Sequence, residues 1–297
     1  MATVFEINNL TKFYGPIQAL NNVSFSVPSG CVFGILGPNG SGKTTLLGIV
    51  MNVLHASSGT FMFLGKHPTA NTRKGIGTLL ETPNFYHYLS GRKNLEIAAA
   101  IKQRGKEDIE DVLKRVNLFE RQHSKFSTYS LGMKQRLAIA SCLLGNPDIL
   151  VFDEPTNGLD PVGIAEIREL IIKLAHEGKT IIMASHLLDE VEKVCTHVAI
   201  LKTGKLITSG PVDEVLVNED IVELASTNLN ELENILNQIE GFTSLKNNGK
   251  TIQLFYPLGT AKLSSINEHC FNNKTVLNHL ILKKKSLETK FLEITNN

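Results

Sequence analysis

Apolar positions along the chain fall into short runs of two periods. Val4 to Leu10 and Val23 to Val27 are strand-like, and the second alternates Val23, Phe25 and Val27 with serines, as a half-buried strand does. Cys31 to Leu36 is a third apolar run, followed by a glycine-rich stretch and a helix-favouring run from Thr45 to Val53. Gly59 to Leu64 and Ile76 to Leu80 predict two further strands. From Arg92 to about Leu144 the period changes. Ile109, Val112, Leu113 and Val116 recur at helical spacing, as do Leu137, Ala140 and Leu144, up to the turn Gly145-Asn146-Pro147. Ile149-Leu150-Val151-Phe152 is then continuously apolar, the pattern of a strand buried on both faces of a parallel sheet. A helix over Ile164 to Leu174, a strand over Lys179 to Ala184 and a helix over Leu187 to Val194 follow. A hairpin of Val198 to Leu201 with Leu206 to Thr208, turning at Thr203-Gly204, closes this part of the chain.

After Pro211 the composition shifts. Strand-like Ile221 to Ala225, Phe242 to Leu245, Ile252 to Tyr256 and Val276 to Leu282 alternate with helical Leu229 to Ile239 and Thr260 to His269. A last helix is predicted over Ser286 to Ile294. The order βαββαβ suggests a small ferredoxin-like α+β domain. The expected organisation is therefore an α/β domain over 1–215, with a helical subdomain over about 83–144, and a C-terminal α+β domain over 216–297. A chain of 297 residues accommodates one large and one small domain.

Composition narrows the function classes. The formal net charge is +1, so nothing indicates a general affinity for nucleic acid or anionic lipid. Lys283-Lys284-Lys285 reads as a solvated strand end. No apolar run approaches the ~20 residues needed to span a bilayer, and Met1 to Leu10 does not read as a signal peptide. A membrane role would have to come through a partner. The four cysteines (Cys31, Cys142, Cys195 and Cys270) are widely spaced, which predicts reduced, buried thiols and no zinc site.

The chemistry concentrates in Gly37-Pro38-Asn39-Gly40-Ser41-Gly42-Lys43-Thr44, which fits G-x-x-x-x-G-K-[ST] between a strand and a helix start. Glycines let the backbone turn tightly and approach a phosphate. Free N–H groups at the helix start, with its dipole, favour the anion. Lys43 is then expected on the β- and γ-phosphates of a nucleoside triphosphate, and the Thr44 hydroxyl on Mg²⁺. The strand Ile149 to Phe152 runs into Asp153-Glu154, and the C-terminal end of a parallel strand is where open α/β sheets place ligand groups. Asp153 is expected to share the Mg²⁺ of Thr44, and Glu154 to polarise a water. His186 follows another predicted strand. A lone histidine is commonly structural, but this one shares the sheet edge of Asp153 and so suits a role near the γ-phosphate. Tyr14 alone suits a half-buried turn; ahead of a phosphate loop it also suits stacking on a nucleotide base.

With these motifs in view, the chain resembles the ATP-binding subunits of ABC transporters over roughly Val4 to Pro211. Tyr14 matches the base-stacking aromatic and Gly37 to Thr45 the phosphate loop. Tyr129-Ser130-Leu131-Gly132-Met133-Lys134-Gln135-Arg136 matches the signature motif, Ile149 to Glu154 the Walker B strand, Gly158-Leu159-Asp160 the D-loop, and His186 the switch histidine. The resemblance implies a P-loop fold of the ABC ATPase type and two copies paired head to tail. Ser130 and the Gly132 amide would cap the γ-phosphate held by the partner copy. Glu154 would be general base, His186 would contact the γ-phosphate, and Asp160 would help order the opposite site. ATP and Mg²⁺ are the implied ligands, with a separate transmembrane permease as partner. The chain would sit in the cytoplasm, peripheral on the inner face of the membrane.

Two departures matter. Glu81 stands where the family usually has glutamine, so a third carboxylate joins Asp153 and Glu154 near the metal; Mg²⁺ or a proton must offset it. Leu131 and Met133 replace a glycine and a glutamine of the usual signature. Both changes are similar to the bacitracin-resistance and lantibiotic-immunity subgroup, which implies export of a peptide, an antibiotic or another amphipathic molecule. Repair and chromosome-structure ATPases of this superfamily carry a long coiled coil, and translation factors carry two ATPase units in one chain; neither pattern is present. The alternative is a soluble ABC-type ATP-binding switch with little turnover.

Overall fold

The computed structural model describes residues 2–80, 84–216, 219–257 and 259–284. They divide into two compact units, Met1–Val212 and Asp213–Asn297.

In the first unit, β1 (Thr3–Tyr14) and β2 (Ile17–Pro28) form a long bulged hairpin turning beyond Tyr14. β3 (Val32–Leu36) leads through the glycine-rich loop into α1 (Lys43–Val50). Then come β4 (Ser58–Phe63), a short α2 (Ala70–Lys74) that the hydrophobic pattern did not announce, and β5 (Ile76–Leu79). Among the described residues the helical block has three α-helices, α3 (Gly91–Lys102), α4 (Ile109–Arg115) and α5 (Leu131–Leu143), with two short 3-10 turns, Phe119–Arg121 and Phe126–Thr128, between the last two. It breaks where the backbone turns left-handed, at Gln103 (φ 58°), Gly105 (φ 76°) and Asn117 (φ 54°). β6 (Ile149–Asp153), α6 (Pro161–His176), β7 (Thr180–Ser185), α7 (Leu188–Val194), β8 (His197–Lys202) and β9 (Lys205–Pro211) complete it, and α8 (Val212–Leu216) straddles the division.

Two sheets organise this unit. One has the order β5-β6-β7-β3-β8-β9, parallel except for the antiparallel edge strand β9. The other is antiparallel, in the order β2-β1-β4. A single core joins them through α1: Ile7, Leu10 and Val23 of the second sheet share it with Leu46, Leu47, Phe33, Ile35 and Val151. Every residue of β3 and β6 is buried, and each fully buried Leu, Ile or Val side chain contributes roughly 1.5–3 kcal/mol. The opposite face of β3 is closed by α7, because a Cβ on Gly34 would lie 2.8 Å from Val191 Cγ1 and 3.0 Å from Cys195 Sγ.

The second unit runs β10 (Glu219–Ser226), α9 (Leu229–Leu236), β11 (Ser244–Asn247), β12 (Ile252–Pro257), α10 (Leu263–Asn272) and β13 (Leu277–Lys284). Its sheet is antiparallel throughout with the order β11-β12-β10-β13, the ferredoxin-like arrangement. Leu232, Ile235 and Leu236 of α9 and Ile266 and Cys270 of α10 pack on Val222, Leu224, Ile252 and Leu254. The helix predicted over Ser286 to Ile294 lies outside the described residues.

Candidate functional site

Three strand ends meet at one edge of the parallel sheet. The register sets Leu36 of β3 opposite Ser185 of β7, and Asp153 of β6 opposite Ala184. Gly37, Glu154 and His186, each one residue past its strand, are thereby brought together. The Glu154 N–H donates to the Ala184 carbonyl at 3.0 Å, while its own backbone is left-handed at φ 49°. That conformation costs a non-glycine residue of order 1–3 kcal/mol. It turns the side chain out of the strand. One carboxylate oxygen, Oε2, lies 2.8 Å from His186 Nδ1, and Oε1 lies 3.6 Å from Lys43 Nζ.

The glycine-rich loop is seated tightly. A Cβ on Gly37 would fall 2.3 Å from Ser41 Oγ and 2.4 Å from the Leu201 carbonyl. Gly42 is left-handed at φ 103°, and a Cβ there would fall 2.6 Å from the Ala19 carbonyl. Gly42 is also the N-cap of α1 and offers no capping side chain, and the first turn carries no acidic residue. The first amides of α1 are therefore suited to an anion. Lys43 is 5% exposed and donates to the Gly37 carbonyl at 2.8 Å and the Pro38 carbonyl at 3.3 Å. Ser41 Oγ is buried without a hydrogen-bond partner among the described residues.

Two cavities open on these groups. One, of about 360 Å³, is lined by the loop from Asn39 to Thr45 with Ala19 and Glu154. The other, of about 530 Å³, is lined by Thr44, Asp153 and Glu154 together with His87, Gln135 and Asn157. An exposed hydroxyl (Thr44) and a carboxylate 4% exposed (Asp153), both lining this cavity, are hard oxygen donors. They fit Mg²⁺, which takes one or two protein ligands beside phosphates and water rather than an all-protein cage. Among the described residues no group of three or more His, Cys, Asp and Glu could hold a metal by itself.

The other predicted residues sit at the surface. Tyr14 ends β1, is 43% exposed, and has Lys12 Nζ 5.0 Å from its ring centroid. Ser130 is exposed and N-caps α5, accepting from the Met133 N–H at 3.3 Å. A Cβ on Gly132 would meet nothing within 4 Å. Asp160 is exposed and N-caps α6, accepting from the Gly163 N–H at 2.9 Å. Among the described residues, no hydrogen bond or ion pair joins Ser130, Gly132 or Asp160 to the phosphate loop. Glu81 lies outside the described residues. His87, Gln135 and Asn157 entered the site unannounced. Gln135, a polar residue one turn into a helical apolar pattern, and Asn157, three residues past Glu154, carried a weak signal; His87 carried none.

The chain matches the ABC transporter family over residues 20–157. It is 40% identical over 301 residues to the uncharacterized ABC transporter ATP-binding protein YhcH of Bacillus subtilis, covering 99% of this chain and 97% of that protein. It is 41% identical over 226 residues to the bacitracin transport ATP-binding protein BcrA of Enterococcus faecalis, covering 74% and 71%. Among solved structures it is similar to the dimeric post-hydrolysis state of the ATP-binding cassette MJ0796 bound to ADP and Pi, with a TM-score of 0.62 and 28% identity over 70% of this chain and 98% of that one.

Proposed function

This chain belongs to the ABC transporter ATP-binding proteins and is an ATPase that uses ATP with Mg²⁺, and from that premise we propose that it powers a separate membrane subunit exporting a peptide, an antibiotic or another amphipathic molecule. The observation that carries the ATPase half is the position of Glu154. Its carboxylate stands at a sheet edge, 2.8 Å from His186 Nδ1 and 3.6 Å from the phosphate-loop lysine.

The residues take distinct parts. Tyr14 stacks on the adenine base. Amides of Gly40 to Thr45 hold the phosphates, and Lys43 leaves the Gly37 and Pro38 carbonyls for the β- and γ-phosphate oxygens. Thr44 and Asp153 would hold Mg²⁺, which would offset the phosphate charge. Glu154 accepts a proton from the water that attacks the γ-phosphorus, the bond to the β-phosphate oxygen breaks, and ADP and phosphate leave. His186 holds the Glu154 carboxylate and contacts the γ-phosphate.

Ser130, Gly132 and Asp160 act in a head-to-tail homodimer, on the nucleotide of the partner copy. The Ser130 hydroxyl can do this without losing its cap, because the oxygen accepts from Met133 while the O–H remains a donor. The start of α5 adds its dipole at the same place. Glu81 is assigned to the metal's surroundings. No described helix is long and apolar enough to cross a membrane; the chain works on the inner face of the membrane, held there by its permease. Similarity to the bacitracin transport protein BcrA supports the exporter reading.

The test is ATP hydrolysis by the purified chain across protein concentration, beside Glu154→Gln. A rate per molecule that climbs with concentration supports paired sites. A rate per molecule independent of concentration, from a chain that stays monomeric with ATP, would refute them.

A further inference from the structure

Glu154 and His186, 2.8 Å apart, each head a short segment that leads into a helix. From Glu154 the chain passes Asp160 into α6, and from His186 it passes Leu187 into α7. Side chains tie the two helices together again. Arg168 Nη1 of α6 donates to Glu190 of α7, to Oε1 at 3.0 Å and to Oε2 at 3.1 Å. The ion pair thus closes a ring that begins and ends at the Glu154–His186 contact.

The ring depends on that far closure. α7 has seven residues, and its N-cap, Leu187, makes no side-chain capping hydrogen bond. So short a helix does not hold its own shape and place in water, and tertiary contacts must fix it. Val191 sets its distance from β3, against Gly34. Apolar contact is non-directional, so it limits approach without fixing the turn of the helix about its axis. Glu190, 9% exposed, supplies the direction, because a charge-assisted hydrogen bond from a guanidinium is short and geometrically specific. Lys193 Nζ also lies 3.7 Å from Glu190 Oε1, but it belongs to the same helix and ties α7 to nothing else. Among the described residues, Arg168 is the one cation from another element paired with Glu190.

We propose that Arg168 is a positioning residue for ATP hydrolysis: through Glu190 it holds α7, and with it His186, where the imidazole meets the Glu154 carboxylate. The inference rests on the part assigned to His186 above. Arg168 lines neither of the two site cavities, so it acts through the histidine and not on the nucleotide. Removing its guanidinium leaves Glu190 beside Lys193, so the carboxylate keeps a counter-charge and the fold should persist.

The test measures kcat of the full chain at saturating MgATP, at a protein concentration where the rate per molecule has levelled off. Arg168→Met keeps the stem and removes the charge. It should lower kcat by about tenfold, within the ~10²-fold that a misplacement of about 1 Å can cost, with MgADP affinity and melting temperature unchanged. Arg168→Lys, which keeps the charge, and Glu190→Gln, which keeps one acceptor oxygen, should each lose less. In a His186→Ala background, Arg168→Met should cost nothing further, a non-additivity that a general loss of stability would not produce. If Arg168→Met melts early, Arg168→Lys and Glu190→Gln carry the same comparison. Arg168→Met and Glu190→Gln within about twofold of the wild type, beside an impaired His186→Ala, would overturn this inference alone. So would a full loss added on top of that of His186→Ala. His186→Ala at the wild-type rate would remove the histidine's assigned part, and this inference with it.

Discussion

Replacing Glu154 by glutamine tests the site most directly, because the change is isosteric and removes only charge. The left-handed backbone and the hydrogen bond from the Glu154 N–H to Ala184 do not involve the carboxylate, so the fold should persist. Two consequences follow, with opposite signs. Hydrolysis loses its proton acceptor and should fall by ~10²–10⁴-fold, equivalent to about 2.7–5.4 kcal/mol of barrier. Nucleotide binding should tighten. In the free chain Lys43 Nζ lies 3.6 Å from Glu154 Oε1, with side chains only 6% and 20% exposed. Opposite charges at that distance attract, and the contact helps to hold the lysine in place. Lys43 keeps the Gly37 and Pro38 carbonyls in the variant, so only part of this restraint is released. Removing repulsion between the carboxylate and the γ-phosphate acts in the same direction. A gain of about 1–2 kcal/mol, or roughly 5–30-fold in ATP affinity, is the expected outcome. Single-turnover hydrolysis of radiolabelled ATP reads the first effect, and titration with a fluorescent ATP analogue reads the second. Turnover within a few-fold of the wild type would remove Glu154 as general base. ATP affinity weakened tenfold would show that the Glu154–Lys43 contact does not restrain the loop.

His186→Ala removes the 2.8 Å contact that orients Glu154; steady-state ATPase should fall by about 10–100-fold, less than in Glu154→Gln, if the histidine positions the carboxylate, and an unaltered rate would contradict that. Gly77→Ala would force a Cβ to within 2.4 Å of the Cys142 carbonyl and 2.6 Å of Leu150 Cδ2. Because one obstacle is backbone, the expected loss is about 2–3 kcal/mol, a fall in melting temperature of about 4–10 °C; an unshifted melt would mean that β5 and α5 separate freely. In the second unit, hydrogen bonds from Lys283, Gln253 and His279 hold the Glu223 carboxyl down from its ordinary 4.5 to about 2. A depressed carboxylate stabilises the fold fully above its unfolded value, and that contribution is lost as pH falls from about 4.5 toward about 2; Glu223→Gln should flatten that part of a urea-denaturation profile against pH. All four cysteines are free and buried, and burial raises Cys31 and Cys142 to about 11 and raises Cys195 and Cys270 as well. Ellman's reagent at pH 8 should find no reactive thiol in the folded chain and four after denaturation.

The phosphate loop and the Asp153-Glu154 strand were legible because their signals are local. A tight turn needs glycine at particular steps, and a strand buried on both faces must read as unbroken apolar residues. The α/β class and the βαββαβ order of the second unit followed from periodicity for the same reason. The breaks within the helical block were harder to see. Gln103 and Asn117 adopt left-handed backbone that their residue types permit but do not require, and tertiary contacts decide there. Only strand register could place His186 against Glu154, 32 residues away. Only the packed loop could bend Lys43 back onto its own carbonyls. The dual use of Ser130 and Asp160, as helix caps and as exposed groups facing outward, likewise depends on where α5 and α6 begin in space. Sequence alone thus determined which chemical groups this protein carries and the local elements that bear them. The tertiary structure decided which groups meet, because contacts between distant residues depend on sheet register and core packing, which no short window of the chain encodes.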